Sequence, residues 1–137
     1  MTMRMTSTSA TTMKNNLLAP SVEERGLISN TPYENFTFSL PTPDGDATIF
    51  IVEDEAGKII RVDITIGKAG SSVAAWCNGF SRMLTFAINQ GVALDAVIEE
   101  LSDIASDRFQ FSDGVPIRSG PEAMAIAFKK YRALKKL

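Results

Sequence analysis

The chain has 137 residues, with 14 Lys and Arg against 16 Asp and Glu, one cysteine, no histidine, and 45% apolar residues. That length suits one core rather than two, and the missing histidines exclude Ser-His and Cys-His pairs, histidine acid–base catalysis and histidine-ligated metal sites. Cys77 alone can form neither an internal disulfide nor a CxxC zinc site, so a cytoplasmic protein that folds without metal is expected. Five of the cations lie in residues 129–137, which hold no acid; the preceding residues carry nine cations against all 16 acids. So acidic a body argues against specific DNA binding.

In chain order, residues 1–20 are rich in Thr, Ser and Met and show no hydrophobic period. Residues 1–34 are expected to be a disordered or extended leader, ahead of a single α+β domain over 35–137. No stretch has the apolar run of a secretory signal or a membrane span. From Asn35 the pattern alternates: Phe36, Phe38 and Leu40 share one side, Pro41 to Asp46 supply turn residues, and Ala47 to Glu53 form a β-branched run. A connection at Asp54 to Lys58 leads to Ile59–Ile66, where Ile60, Val62, Ile64 and Ile66 alternate with Arg61, Asp63 and Thr65. The spacing predicts a three-stranded antiparallel meander that needs a cover on its apolar face.

Helices supply it. Gly67 to Gly70 break the last strand, and Ser71 or Ser72 can cap a helix over 73–89. Its apolar positions Val73, Trp76, Cys77, Phe80, Met83, Leu84, Ala87 and Ile88 recur at three and four, so Trp76, Phe80 and Met83 are expected in the core or a subunit interface. A second helix is predicted over 93–106, with Asp95, Glu99 and Asp103 on its solvated side, followed by a loop over 107–118. Ser119-Gly120-Pro121-Glu122 reads as a capping box that opens the third helix. Three strands followed by three helices packed on them make an α+β fold. So few strands and so apolar a first helix lead us to expect a homo-oligomer.

The order of hairpin, Gly67 to Ser72, long helix, Gly91 to Leu101, irregular loop and Ser119 to Ala127 resembles the TSCPD domain. That domain is found at the C-terminus of adenosylcobalamin-dependent ribonucleotide reductases and in small stand-alone proteins, some of them phage-encoded. The likeness covers about residues 36–131. The family's Thr-Ser-Cys-Pro-Asp motif is matched here by Arg118, Ser119, Gly120, Pro121 and Glu122, so its cysteine is a glycine. No thiol or metal role can therefore be transferred; what survives is what a helix cap needs. A looser likeness, in size and element order, is to phage Thoeris anti-defence sponges, which sequester cyclic nucleotide signals.

Two clusters are candidate ligand sites. Gly67, Lys68, Ala69, Gly70, Ser71 and Ser72 place small residues, a lysine and two hydroxyls at a helix N-terminus, which can cradle a phosphate or simply cap the helix. The lysine precedes the second glycine, unlike a Walker A loop. Arg108, Phe109, Phe111 and Arg118 can clamp a nucleotide from the long loop, with Ser119 beside them, or the rings can anchor the loop while the arginines stay solvated. Arg82 on the first helix can reach a ligand or remain solvated.

The expected function is a non-catalytic binder of a nucleotide-like small molecule, with no cofactor, metal or membrane partner. The alternative is an assembly module that contacts a ribonucleotide reductase through its helices and basic tail.

Overall fold

The computed structural model describes residues 34–136. The expected leader lies outside them except for Glu34, which opens the first strand. β1 (Glu34–Thr42), β2 (Gly45–Glu53) and β3 (Ile59–Ile66) form an antiparallel sheet in the order β1-β2-β3. Register aligns Phe36 with Ile51 and Val62, Phe38 with Ile49 and Ile64, and Leu40 with Ala47 and Ile66, giving the single apolar face that the alternation predicts. Thr42 and Asp54 close the two hairpins with their side chains. The Thr42 hydroxyl donates to the Gly45 carbonyl at 2.6 Å, and Asp54 Oδ1 accepts from the N–H groups of Ala56 and Lys58 at 3.0 and 2.9 Å.

The helices are α1 (Ser72–Asn89), α2 (Leu94–Leu101) and α3 (Gly120–Lys135). α3 covers the apolar sheet face. Its Ala123, Met124, Ala127, Phe128 and Tyr131 are buried against the strands, and Val97, Ile98 and Leu101 of α2 join the same core. Alanine at two of these α3 positions lets the helix lie close to the sheet, while Phe128 fills the space between layers.

α1 instead runs along the outer edge of β3, in the opposite direction. Ser81 Oγ accepts from the Ile64 N–H at 2.9 Å, Thr85 Oγ1 accepts from the Val62 N–H at 3.1 Å and donates to the Val62 carbonyl at 3.0 Å, and Asn89 donates to the Ile60 carbonyl at 3.3 Å. Four helical residues advance about 6.0 Å and two strand residues about 6.6–6.8 Å, so every fourth side chain of the helix meets every second residue of the strand. Hydroxyls and an amide thus complete the hydrogen bonding of an edge that would otherwise be open.

Two expectations need correction, and that of core or subunit interface for Trp76 and Met83 is narrowed. The second helix ends at Leu101, not Ser106, because the following residues pair elsewhere: the Ser106 N–H donates to the Arg118 carbonyl at 3.0 Å, and the Ser119 hydroxyl donates to the Ile104 carbonyl at 2.6 Å. The expected loop over 107–118 contains a small hairpin, β4 (Gln110–Ser112) paired with β5 (Val115–Ile117), turned by Asp113 and Gly114 at φ 52° and 79°. Trp76 and Met83 are not in the domain core: they are 79% and 65% exposed. Only Phe80 of that trio is packed against the core, and it is partly buried.

Cations at the end of α3 are largely engaged within the domain. Lys130 faces Asp113, Arg132 pairs with Asp95, and Lys135 pairs with Glu53.

Candidate functional site

β3 ends at Ile66, and the chain reverses through Gly67 and Gly70, whose φ values of 80° and 85° are open to glycine and costly for other residues. The Ser71 N–H donates to the Lys68 carbonyl at 3.1 Å, and the Ser71 hydroxyl accepts from the Ala74 N–H at 3.1 Å. Ser71 is thus the N-cap of α1. The N–H groups of Ser72 and Val73 have no hydrogen-bond partner among the described residues. No acid lies in the first turn of α1, and the exposed Lys68 makes no ion pair among the described residues. The positive end of an 18-residue helix is therefore presented to solvent beside a free ammonium group.

A second helix start lies at the same end of the sheet. Ser119 caps α3 by accepting from the Glu122 N–H at 3.1 Å. The expected capping box is modified: Glu122 reaches past Ser119 and accepts from the backbone N–H of Arg118 at 2.8 Å. The Arg118 guanidinium also lies across this carboxylate, with Nε 3.0 and 3.1 Å from its two oxygens and Nη2 closing the pair. Arg118 is therefore held by the cap while its side chain stays 41% exposed.

Because its strongest influence is the hydrogen bond from the Arg118 side chain, the buried Glu122 carboxyl titrates below its ordinary range despite the opposing effect of burial. A carboxylate with a lowered folded-state pKa contributes stability that is present above its unfolded value and is lost as pH falls through the folded one. The stability advantage of wild type over Glu122→Gln should accordingly shrink below about pH 4.5. Paired thermal melts from pH 7 to pH 3 would check this, and a constant difference across that range would contradict it.

Contacts at glycine bring the two helix starts together. A Cβ built on Gly120 would lie 3.2 Å from Ile66 Cδ1, and one on Gly45 would lie 3.6 Å from Ile66 Cγ2. The start of α3, the start of β2 and the end of β3 thus meet at one end of the sheet. Arg108 joins them there: Nη1 donates to the Pro43 carbonyl at 3.4 Å and Nη2 lies 3.5 Å from Asp44. Phe109 and Phe111 are exposed and meet edge to face at 5.1 Å, so neither anchors the hairpin to the core.

Of the residues singled out in the sequence, the segment 67–72, Arg108, Arg118 and Ser119 share this end. Arg82 does not, because it lies ten residues into α1, about 15 Å along the helix from Ser72.

Ser81, Thr85 and Asn89 are the functional side chains of α1 that the apolar periodicity overlooked. Their signal is a polar stripe at four-residue spacing, aligned with Cys77. Burial raises the half-buried Cys77 thiol above its ordinary value, more than the Ile66 backbone hydrogen bond lowers it, so it stays protonated at neutral pH. Among the described residues no cluster of acids and cysteine could hold a metal, and no helix is long and apolar enough to cross a membrane.

No curated protein and no solved structure is significantly similar to this chain. The family model of the TSCPD domain matches residues 25–132, a span that takes in the whole sheet, both helix starts and most of α3. The chain belongs to the TSCPD domain family.

Proposed function

We propose that this TSCPD domain is a non-catalytic binding protein for a nucleotide-like phosphate ligand, received at the N-terminus of α1. The observation that carries the reading is the unpaired first turn: among the described residues the N–H groups of Ser72 and Val73 have no partner, the neighbouring Lys68 makes no ion pair, and no acid lies in the first turn. Backbone donors, a positive helix end and a nearby ammonium group are the elements that hold a phosphate. Positive φ at Gly67 and Gly70 lets the backbone approach the anion without a Cβ in the way. The exposed rings of Phe109 and Phe111, next to Arg108, provide faces on which a base can stack. Within this ligand class, cyclic nucleotide signals are the specific candidates, from the likeness in element order to the phage sponges.

The test is isothermal calorimetry with inorganic phosphate, nucleoside monophosphates, and cyclic mono- and dinucleotides. The reading expects a nucleotide to bind, Lys68→Ala to weaken it about 5–10-fold, and Arg82→Ala to leave affinity unchanged. Equal affinity in wild type and Lys68→Ala, or no binding by any of these probes, would overturn it.

A further inference from the structure

α1 has two apolar sides. Val73, Cys77, Phe80, Leu84 and Ile88 pack on the core, whereas Trp76, Met83 and Phe86 are 79%, 65% and 45% exposed. The exposed set, together with Gly79, falls at positions 76, 79, 83 and 86. That is the alternating three-and-four spacing of helices that pack along a common seam. Among the described residues nothing lies within 4 Å of where a Cβ on Gly79 would be, so an open notch sits in the middle of the stripe. The helix carries a single charge, Arg82, which is off the seam.

We propose that two copies of this domain pair through α1, antiparallel, about a two-fold axis midway between Gly79 and Met83. The same axis matches both outer and inner positions. Trp76 meets the partner's Phe86, and Met83 fills the notch at the partner's Gly79, with both contacts repeated by symmetry. Large side chains face large ones at the ends, and a flexible thioether faces a vacancy at the centre.

Charge also favours a second copy in this orientation. α1 has no acid in its first turn and no base in its last, so its own side chains leave the macrodipole uncompensated. An antiparallel copy sets each positive end beside a negative one. In area, Trp76, Met83 and Phe86 expose on the order of 400 Å² per copy. Two copies therefore remove roughly 800 Å² of apolar surface before the polar rim is counted, the core of an interface of about 1,200–2,000 Å². This pairing does not rest on the ligand reading, because it is argued from positions 76, 79, 83 and 86, none of which is assigned to the phosphate.

Sedimentation equilibrium of the full chain tests it, together with emission from Trp76, the only tryptophan. Wild type should have twice the 14.9 kDa monomer mass, and its emission should move to shorter wavelength as concentration rises through the micromolar range. Gly79→Leu fills the notch and should halve the mass and hold the emission at long wavelength. It should also keep a native circular dichroism spectrum, since the site is open and leucine is the better helix former. Trp76→Asp should be monomeric as well. A monomeric wild type, with residues 1–33 or nothing over the stripe, would overturn the proposal. So would a dimer that persists in both variants, which would place the interface elsewhere, for instance on the outer edge of β1.

Discussion

Replacing Ser81 with alanine and Thr85 with valine together should destabilise the domain by about 2–5 kcal/mol, a large share of what a domain this size possesses. Neither change alters core volume much, so the loss comes from hydrogen bonding. In wild type the N–H groups of Ile64 and Val62, on the outer edge of β3, end on these two hydroxyls. Ser81 is buried, and water cannot replace it without opening the helix from the strand. Each buried donor left unpaired costs about 1–3 kcal/mol. Hydrogen exchange locates the effect: the amides of Val62 and Ile64 should be protected in wild type and should exchange much faster in the double variant, beyond the change in global stability. An unchanged melting temperature with unchanged protection at those two amides would show that α1 is held by apolar packing alone. The variant should also aggregate more readily, because its strand edge is no longer covered.

Glu53→Gln should have a comparable effect at the other end of the sheet. Glu53 is 2% exposed at the end of β2, and both of its carboxylate oxygens are used. Tyr131 donates to Oε2, and Lys135 Nζ lies 3.0 Å from Oε1 and 2.9 Å from Oε2. Phe36 closes the cluster, edge to face with Tyr131 at 5.0 Å and 6.0 Å below the lysine. Burial, and then the adjacent carboxylate, keep the Tyr131 phenol protonated far above its ordinary range, so it has a proton to donate to Glu53. Glutamine keeps an acceptor for Tyr131 but turns a donating amide toward the ammonium group.

Breaking a fully buried pair costs about 3–5 kcal/mol. Lys135 is 40% exposed and can reach water, which lowers the expectation to about 2–3 kcal/mol. The melting temperature should fall on the order of 10–20 °C. Lys135→Met should cost at least as much, because it leaves the buried Glu53 carboxylate without its counter-charge, whereas Glu53→Gln leaves an ammonium group that can reach water. A negligible fall in Lys135→Met would assign the stability to the buried phenol–carboxylate contact instead of the ion pair.

The sheet was legible because its signal is redundant. Alternation in β1 and β3, the β-branched run of β2 and turn residues between them all require one register, and the cross-strand rows of Phe38, Ile49 and Ile64 follow from it. Caps at Ser71 and Ser119 were legible for a similar reason, since a hydroxyl before an apolar helix pattern has a specific task. Periodicity failed where two answers share it. It marked Trp76 and Met83 as apolar but could not say that α1 presents a second stripe away from the sheet. Ile104 extended the apparent period of α2, yet the backbone there is drawn off by Arg118 and Ser119. β4 and β5 have three residues each, too few to show alternation, although Asp113-Gly114 is a strong turn signal. In the candidate site, residue types pointed to the cations but not to their partners. Only the folded chain shows that Glu122 holds Arg118, that Asp44 faces Arg108, and that Lys68 has no ion-pair partner among the described residues.

In the proposed function, the first turn of α1 is the place where a phosphate is received. Amide chemical shifts of the ¹⁵N-labelled full chain, followed during titration with a cyclic dinucleotide and with inorganic phosphate, test that claim most directly. The account predicts that the largest, saturable changes fall on Lys68 to Val73, with smaller ones at Arg108, Phe109 and Ser119 and none at Arg82. Changes centred on other residues, or no saturable change with either probe, would contradict it.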